Sequence, residues 1–335
     1  TIAVDAMGGD DAPRPEVEGS ILAARQWDLR VLLVGQPAEL RRELARHGHR
    51  GLEIEIVPAS EVIAMTDSPA HAFRKKKDSS AHVAAHLVES GKADGWVSAG
   101  NTGAVMTVAR FVLGTLPSVQ RPALAAPFPT SRGGVAVLLD VGANVDSKVA
   151  HLVQFAIMGE IYYRLIFGTR QPRVALLSIG EEAIKGNELT REAHQRFKTL
   201  PLNFVGNVEG REIFSGSVDV IVCDGFIGNV ALKVIEGVAQ QIALMLKKAL
   251  QSTVASQVGY VLSRSAYKAF RKSIDYTEYG GAPLLGVRGV TVIGHGSANA
   301  NAIKNAVRVA AELARARINE KIEQELSALP IAVEA

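Results

Sequence analysis

Two short polar stretches, each following an apolar run, carry the side chains best suited to chemistry. AIKGNEL (Ala183–Leu189) follows VALLSIG, and DGFIGNV (Asp224–Val230) follows VDVIVC; both lead into helix-like segments. Open α/β sheets hold ligands in the crevice beyond the carboxyl ends of their strands. Lys185 and Asn229 are therefore expected to face one pocket, as a cation and a neutral amide. Such a pair suits an anionic substrate and a polarised carbonyl better than hydride transfer. Each has a plainer reading as well: Lys185 as a surface lysine, and Asn229 as the cap of the helix that begins near it.

Other apolar runs finish in glycine and small polar residues too. DAMGGD brings Asp5, Gly8 and Gly9; SAGNTGA brings Asn101, Thr102 and Gly103; DVGAN brings Asn144. IKGNE adds Asn187 beside Lys185, and GHGSAN adds His295, Gly296 and Ser297. Glycine lets a backbone approach a ligand closely, and a following helix N-terminus offers unpaired N–H groups to an anion. Phosphate binds well at such places. One loop of this kind is usually only a turn; six, expected together at the same end of the sheet, point to a ligand. None has the GxGxxG or GxxxxGK[ST] spacing of a nucleotide loop, and no GxSxG elbow occurs. His82 and His86 stand at helical spacing without the glutamate of HExxH, so they read as core or solvated histidines. No metal or cofactor is expected. Cys223, a lone cysteine inside an apolar run, reads as a small buried hydrophobe and excludes an internal disulfide.

The elements that must position these groups alternate along the chain. TIAVDA, RVLLVG, LEIEIV, GWVSAG, GVAVLLDVG, RVALLSIG, VDVIVCDG and GVTVIGHG read as strands. Several are apolar almost throughout, as in sheets covered on both faces. Helical patterns lie between them, including Glu39–His47, Ser79–Ser90, Ala150–Phe167, Glu188–Lys198, Asn229–Gln251 and Ala298–Leu326. The alternation predicts a largely parallel sheet of βα units, in one α/β/α catalytic domain over 1–335 with no linker. Pro117, Pro122, Pro127 and Pro129 predict that any strand between them is interrupted or at an edge.

Charge separates two further regions. The 335 residues carry a formal net charge of +3, too weak a balance to argue nucleic-acid binding. Gly237 to Ile274 contains no Asp or Glu but carries Lys247, Lys248, Arg264, Lys268, Arg271 and Lys272. Within it Val254, Val258, Val261 and Leu262 fall at helical spacing. The segment reads as a helical tip, at about 247–275, resting on an anionic membrane surface or packed on the core or a second subunit. Arg74–Lys77 reads as a solvated helix end or as a docking patch for an acidic partner. No secretory signal and no run of 18 apolar residues is visible, which predicts a cytoplasmic enzyme, peripherally membrane-associated at most.

As an ordered set, IAVDAMGGDDAP, SAGNTGA, DVGAN, KGNE, DGFIGNVALK and YGGAPLLGVRG…GHGS resemble the PlsX-type phosphate acyltransferases of bacteria, from Ile2 to about Leu326. The resemblance implies a three-layer α/β/α fold like those of phosphotransacetylases and isocitrate-dehydrogenase-type enzymes, working as a homodimer. It implies passage of an acyl group from acyl carrier protein to inorganic phosphate, the acyl phosphate going to a glycerol-phosphate acyltransferase. It also implies catalytic roles for Lys185 and Asn229 and membrane contact for the tip around Val254 to Leu262. Rival readings are a decarboxylating dehydrogenase on the same fold, a coenzyme A-dependent phosphotransacetylase, and a non-catalytic membrane scaffold. The first lacks an aspartate cluster, and the last leaves the strand-end loops unexplained.

Overall fold

The alternating apolar runs pair edge to edge in a computed structural model that describes residues 1–265, 267 and 279–329. In chain order the strands are β1 (Ile2–Asp5), β2 (Val31–Gly35), β3 (Ile54–Pro58), β4 (Gly95–Ser98), β5 (Ala123–Pro129), β6 (Val135–Leu139), β7 (Arg173–Leu177), β8 (Asn203–Val208), β9 (Val220–Val222), β10 (Ala282–Leu285) and β11 (Val290–Ile293). The helices are α1 (Arg14–Trp27), α2 (Pro37–Leu44), α3 (Pro69–Lys75), α4 (Ser80–Glu89), α5 (Thr102–Val108), α6 (Val149–Phe167), α7 (Glu188–Phe197), α8 (Gly225–Gln251), α9 (Val254–Leu262), α10 (Ala300–Arg315) and α11 (Ile318–Ser327). Among the described residues the strands form one 11-stranded sheet in the order β3-β2-β1-β4-β11-β10-β5-β6-β9-β7-β8.

Helices cover both faces, because successive strand residues point to opposite sides. Ile2 and Val4 face α1, α6 and α10, whereas Ala3 faces the side of α4 and α5. Leu139, Val220 and Val222 join the first core; Leu138 and Ile221 join the second. The expected three-layer α/β/α arrangement with a largely parallel sheet is what forms.

Direction along the sheet differs from expectation. Pairing is antiparallel at β11–β10, β10–β5 and β5–β6, and parallel elsewhere. Three reversals leave β6, β9, β7 and β8 running opposite to β3, β2, β1, β4 and β11. The six strand-end loops therefore do not share one end. Those after β1, β4 and β11 point one way, and those after β6, β7 and β9 point the other. They still converge, because the two halves are offset. Ala282 of β10 faces Ile293 at the end of β11, Leu284 faces Leu124, and Ala125 faces Leu139 at the end of β6. The carboxyl ends of β6 and β11 thus stand within about one residue of the same height and meet head-on at the centre of the sheet.

β5, the proline-bearing strand, is interrupted as expected: central at Ala123 and Leu124, it is one-sided where Pro127 and Pro129 lie. Beyond Leu124 it pairs only with β6, since β10 meets it at Ala123 and Leu124 alone. Val137 donates to Asp219, away from β5, so Pro127 opposite it occupies a position that needs no donor. The missing N–H faces the open side, where the cavity described below lies. Pattern reading also missed β8, a polar strand containing Gly206 at φ +104, and the short β10. The expected helix over Ala298–Leu326 is broken at Arg317, which takes φ +53.

By length and composition α8 is long and apolar enough to cross a membrane, though it contains no uninterrupted run of 18 apolar residues. Lys233 and Glu236 interrupt it, and its first turn is fixed to the sheet. Of the expected tip, residues 266 and 268–278 lie outside the described residues.

Candidate functional site

The polypeptide leaves β9 and enters α8 at once. Asp224 caps the helix, accepting from Phe226 N at 2.9 Å and also from Ser147 N at 3.1 Å. The cap is therefore Asp224, which removes the capping role considered for Asn229; Asn229 stands in the second turn. Gly225 and Gly228 have no room for a side chain. A methyl group would strike the backbone oxygen of Asn144 at the first and of Asp140 at the second. α8 consequently rests directly on the loop after β6. Gly142, at φ +132, lies 3.4 Å below the Asn229 side chain measured from its would-be Cβ.

Asp140 organises that loop. Its Oδ1 accepts from Leu124 N, Gly142 N and Ala143 N at 3.0, 3.1 and 3.0 Å. Its Oδ2 accepts from the backbone N and the Nδ2 of Asn144, both at 2.8 Å. Burial pushes this carboxyl above the ordinary carboxylate value, against the pull of those bonds. Asn144 also donates to Pro122 O, so its amide serves the loop itself. Cys223 is buried beneath, its thiol pushed up by burial, as a small core residue.

The loops of the other half are knitted in the same way. Ser98 Oγ donates to Asp5 at 2.7 Å, and Gly100 N to Ser98 Oγ at 3.1 Å. Asp10 N donates to Gly296 O at 2.8 Å, joining the loops after β1 and β11. Gly8 packs against Asp5 and Gly100, and Gly9 against Glu16 and Gly296. Asn101 caps α5 by accepting from Ala104 N, and its Nδ2 donates to Met65 O and Asp67 O. His295 is held through Nδ1 by Ser297, whose N lies at 3.2 Å and Oγ at 2.8 Å.

Where the two sets of loops meet there is a cavity of about 1110 Å³. Its wall is mainly apolar, with Leu124, Phe128, Phe214, Leu232, Ile235 and Ile242 prominent. Thr102, Gly103, Gly142, Asn229, Gly294 and His295 give it polar groups. The cavity can thus take a long apolar chain with a reacting polar head. Of the residues singled out from sequence, Thr102, Gly103, Asn229 and His295 line it. Asp5, Gly8, Gly9, Asn101, Asn144, Gly296 and Ser297 build the loops behind the wall.

Lys185 and Asn187 stand apart. Lys185 is exposed and does not line the cavity. Asn187 caps α7, accepting from Thr190 N at 2.9 Å. Lys185 and Asn229 sit at the ends of adjacent strands, β7 and β9, without sharing the cavity wall. Sequence reading passed over Lys233 and Glu236, which do line the cavity. Their spacing from Asn229, i+4 and i+7, was the available signal, since those positions share one helix face.

The remaining singled-out groups take the plainer roles. His82 is buried with Nδ1 2.9 Å from Ser79 Oγ, and burial lowers its pKa to about 4. His86 is exposed and pairs with Glu89. In the basic cluster, Lys76 binds Asp67 at 2.6 Å and Lys77 lies over the Phe73 ring, leaving Arg74 and Lys75 exposed on α3.

Comparison with known proteins agrees with this architecture. The phosphotransacetylase of Streptococcus pyogenes superposes with a TM-score of 0.63 at 17% identity, covering 94% of this chain and 93% of its own. The EutD phosphotransacetylase of Staphylococcus aureus gives 0.58 at 16%, covering 93% of each. At such identities the likeness is one of fold. Sequence relatives are far nearer. The phosphate acyltransferase of Koribacter versatilis is 61% identical over 334 residues, which is 98% of this chain and 93% of the relative. That of Geobacter sp. strain M21 is 54% identical over 326 residues, 97% and 92% of the two chains. The model of a family described as fatty acid synthesis protein matches residues 1–321. Alike in sequence along nearly its whole length, the chain belongs to that fatty acid synthesis family, the PlsX-type phosphate acyltransferases whose motifs it carries.

Proposed function

We propose that the protein moves a fatty acyl group from an acyl carrier protein thioester to inorganic phosphate, releasing an acyl phosphate for phospholipid synthesis. The cavity carries this reading: a long apolar wall ending in Asn229, His295, Thr102 and Gly103 suits an acyl chain with its carbonyl at the polar end. Hydrogen phosphate is already an anionic nucleophile, so the site needs positioning and charge stabilisation, not a Ser-His-Asp unit. A phosphate oxygen forms the new C–O bond at the thioester carbonyl, and the oxyanion takes a hydrogen bond from the Asn229 amide. Collapse breaks the C–S bond, and the sulfur leaves as a thiol carrying the proton that phosphate brought. No cofactor or metal enters these steps.

The partners follow from the same reading. Acyl carrier protein, an acidic partner, approaches over Arg74 and Lys75; Pro69 of the same helix touches Gly103 of the cavity. A second copy of the chain covers exposed apolar residues of α8, such as Val230, Leu244 and Met245, and α9 touches an anionic membrane. A glycerol-phosphate acyltransferase takes up the product, and the enzyme works in the cytoplasm at the membrane surface. The test is acyl phosphate formation from purified acyl carrier thioester and phosphate, trapped as a hydroxamate. Product is expected, with acyl-coenzyme A the poorer donor and turnover by Asn229→Ala about 100- to 1000-fold lower. No product sinks the reading, and preference for acyl-coenzyme A makes the enzyme a phosphotransacetylase.

A further inference from the structure

We propose that Lys233 is the cation of the cavity, and that Glu236 is a positioning residue holding the Lys233 ammonium beside the His295 imidazole. This rests on the phosphate-transfer reading and names the groups that receive the phosphate. Among the described residues lining the cavity, the charged side chains are Lys233 and Glu236, with Lys233 the only lysine or arginine. Asn229, Lys233 and Glu236 follow one another at i, i+4 and i+7 of α8, so they form one stripe facing the sheet's centre. The stripe is aimed by the clamped first turn of the helix.

The distances join these groups into one unit. Glu236 Oε2 lies 2.9 Å from Lys233 Nζ and 4.0 Å from His295 Nε2. Ser297 N donates to His295 Nδ1 at 3.2 Å, which fixes the ring beside the carboxylate. The Glu236 side chain is 16% exposed and the Lys233 side chain 57%. The carboxylate is thus set back in the wall while the ammonium stands forward. An ammonium has three N–H donors, and one suffices for Glu236. Two remain for the oxygens of a tetrahedral anion beside Asn229. Lys185 is not among the lining residues. The rival reading is an ordinary i,i+3 surface pair, which contributes little and binds nothing.

Steady-state kinetics with varied phosphate decide between them. Lys233→Met is expected to raise the phosphate KM roughly 10- to 100-fold, the loss of one charge-assisted contact, with most of it restored in Lys233→Arg. Lys185→Met, measured alongside, is expected to leave the phosphate KM within about threefold of the parent protein's value. Inorganic phosphate should also raise the melting temperature of the parent protein by mass action, and fail to do so for Lys233→Met. Glu236→Ala should lower kcat roughly 10- to 100-fold by misplacing the ammonium, and Glu236→Gln, whose amide oxygen can still accept from Lys233, should recover most of the loss. An unchanged phosphate KM and melting shift in Lys233→Met overturn the assignment, as does a larger KM rise in Lys185→Met. Equal kcat in Glu236→Ala and Glu236→Gln removes the positioning role. Should Lys233→Met aggregate, Lys233→Gln carries the same measurements. If the parent protein forms no acyl phosphate, it is the phosphate-transfer reading that has failed; an active parent with an indifferent Lys233→Met sinks only this inference.

Discussion

Beneath the first strand-end loop a carboxyl group is buried where its surroundings favour the protonated form. Glu16, in the first turn of α1, is buried, and its Oε2 finds no partner among the described residues. Burial, with Asp5 and Asp11 nearby, raises its pKa from 4.5 to about 8, despite backbone N–H groups at Gly9 that favour the anion. The folded protein therefore holds this proton more tightly than the unfolded chain does. The stability it contributes is complete below about pH 4.5 and is lost as pH rises to about 8. Glu16→Gln keeps the shape and removes the titration. Melting temperatures between pH 5 and 8.5 should fall less steeply in that variant than in the parent; parallel curves would mean that Glu16 does not carry the proton.

At the scale of elements, α8 decides the site, and its glycines decide α8. Gly228 meets the Asp140 carbonyl so closely that any side chain must move the helix, whereas Gly237, two turns on, has nothing within 4 Å of a would-be Cβ. Gly228→Ala should cost about 1–3 kcal/mol through overpacking and should lower turnover, because Asn229 moves with the helix. Gly237→Ala should instead stabilise by up to about 1 kcal/mol, from helix propensity alone. Denaturant melts of the two variants give the comparison. Similar effects in both would show that α8 is not seated through Gly228. The proline-bearing β5 belongs to this scale as well. Its free side beyond Leu124 is what leaves space for the cavity between the sheet and α8.

For the whole molecule, the described surface is unequal. α9 buries none of its residues, with Val254, Val258, Val261 and Leu262 at 77%, 54%, 69% and 82% exposure. Lys247, Lys248 and Arg264 flank it, exposed, in a stretch from Gly237 to Ile274 that contains no Asp or Glu. Apolar side chains between basic ones suit an anionic bilayer surface, where each cation contributes about 1 kcal/mol. Val258→Glu should therefore abolish co-sedimentation with vesicles containing anionic lipid while leaving turnover of soluble substrate intact. Undiminished binding would turn this face over to another partner. Since α9 follows the far end of α8, contact there would lie more than 30 Å along the helix from Asn229, at 1.5 Å per residue. Membrane attachment and chemistry are then separable by mutation.

The amino-acid sequence by itself determined the eight apolar strands, the α/β/α layering and the family, because burial on both sheet faces and glycine at strand ends write themselves into local pattern. It also singled out Asn229, which only a helix clamped by glycines could aim. What tertiary structure alone decided was direction and adjacency. Whether six strand-end loops share an end depends on β10 and β5 reversing the sheet's second half, and both strands are nearly silent in sequence: one is four residues long and the other carries prolines. Likewise, which lysine reaches the cavity depends on how α8 docks. Lys185 has the more conspicuous motif but does not line the cavity, while Lys233 looks like one more exposed helical charge until α8 is docked. Local pattern reports what each segment buries; it carries no record of which distant segment lies beside it, and the site is made from that adjacency.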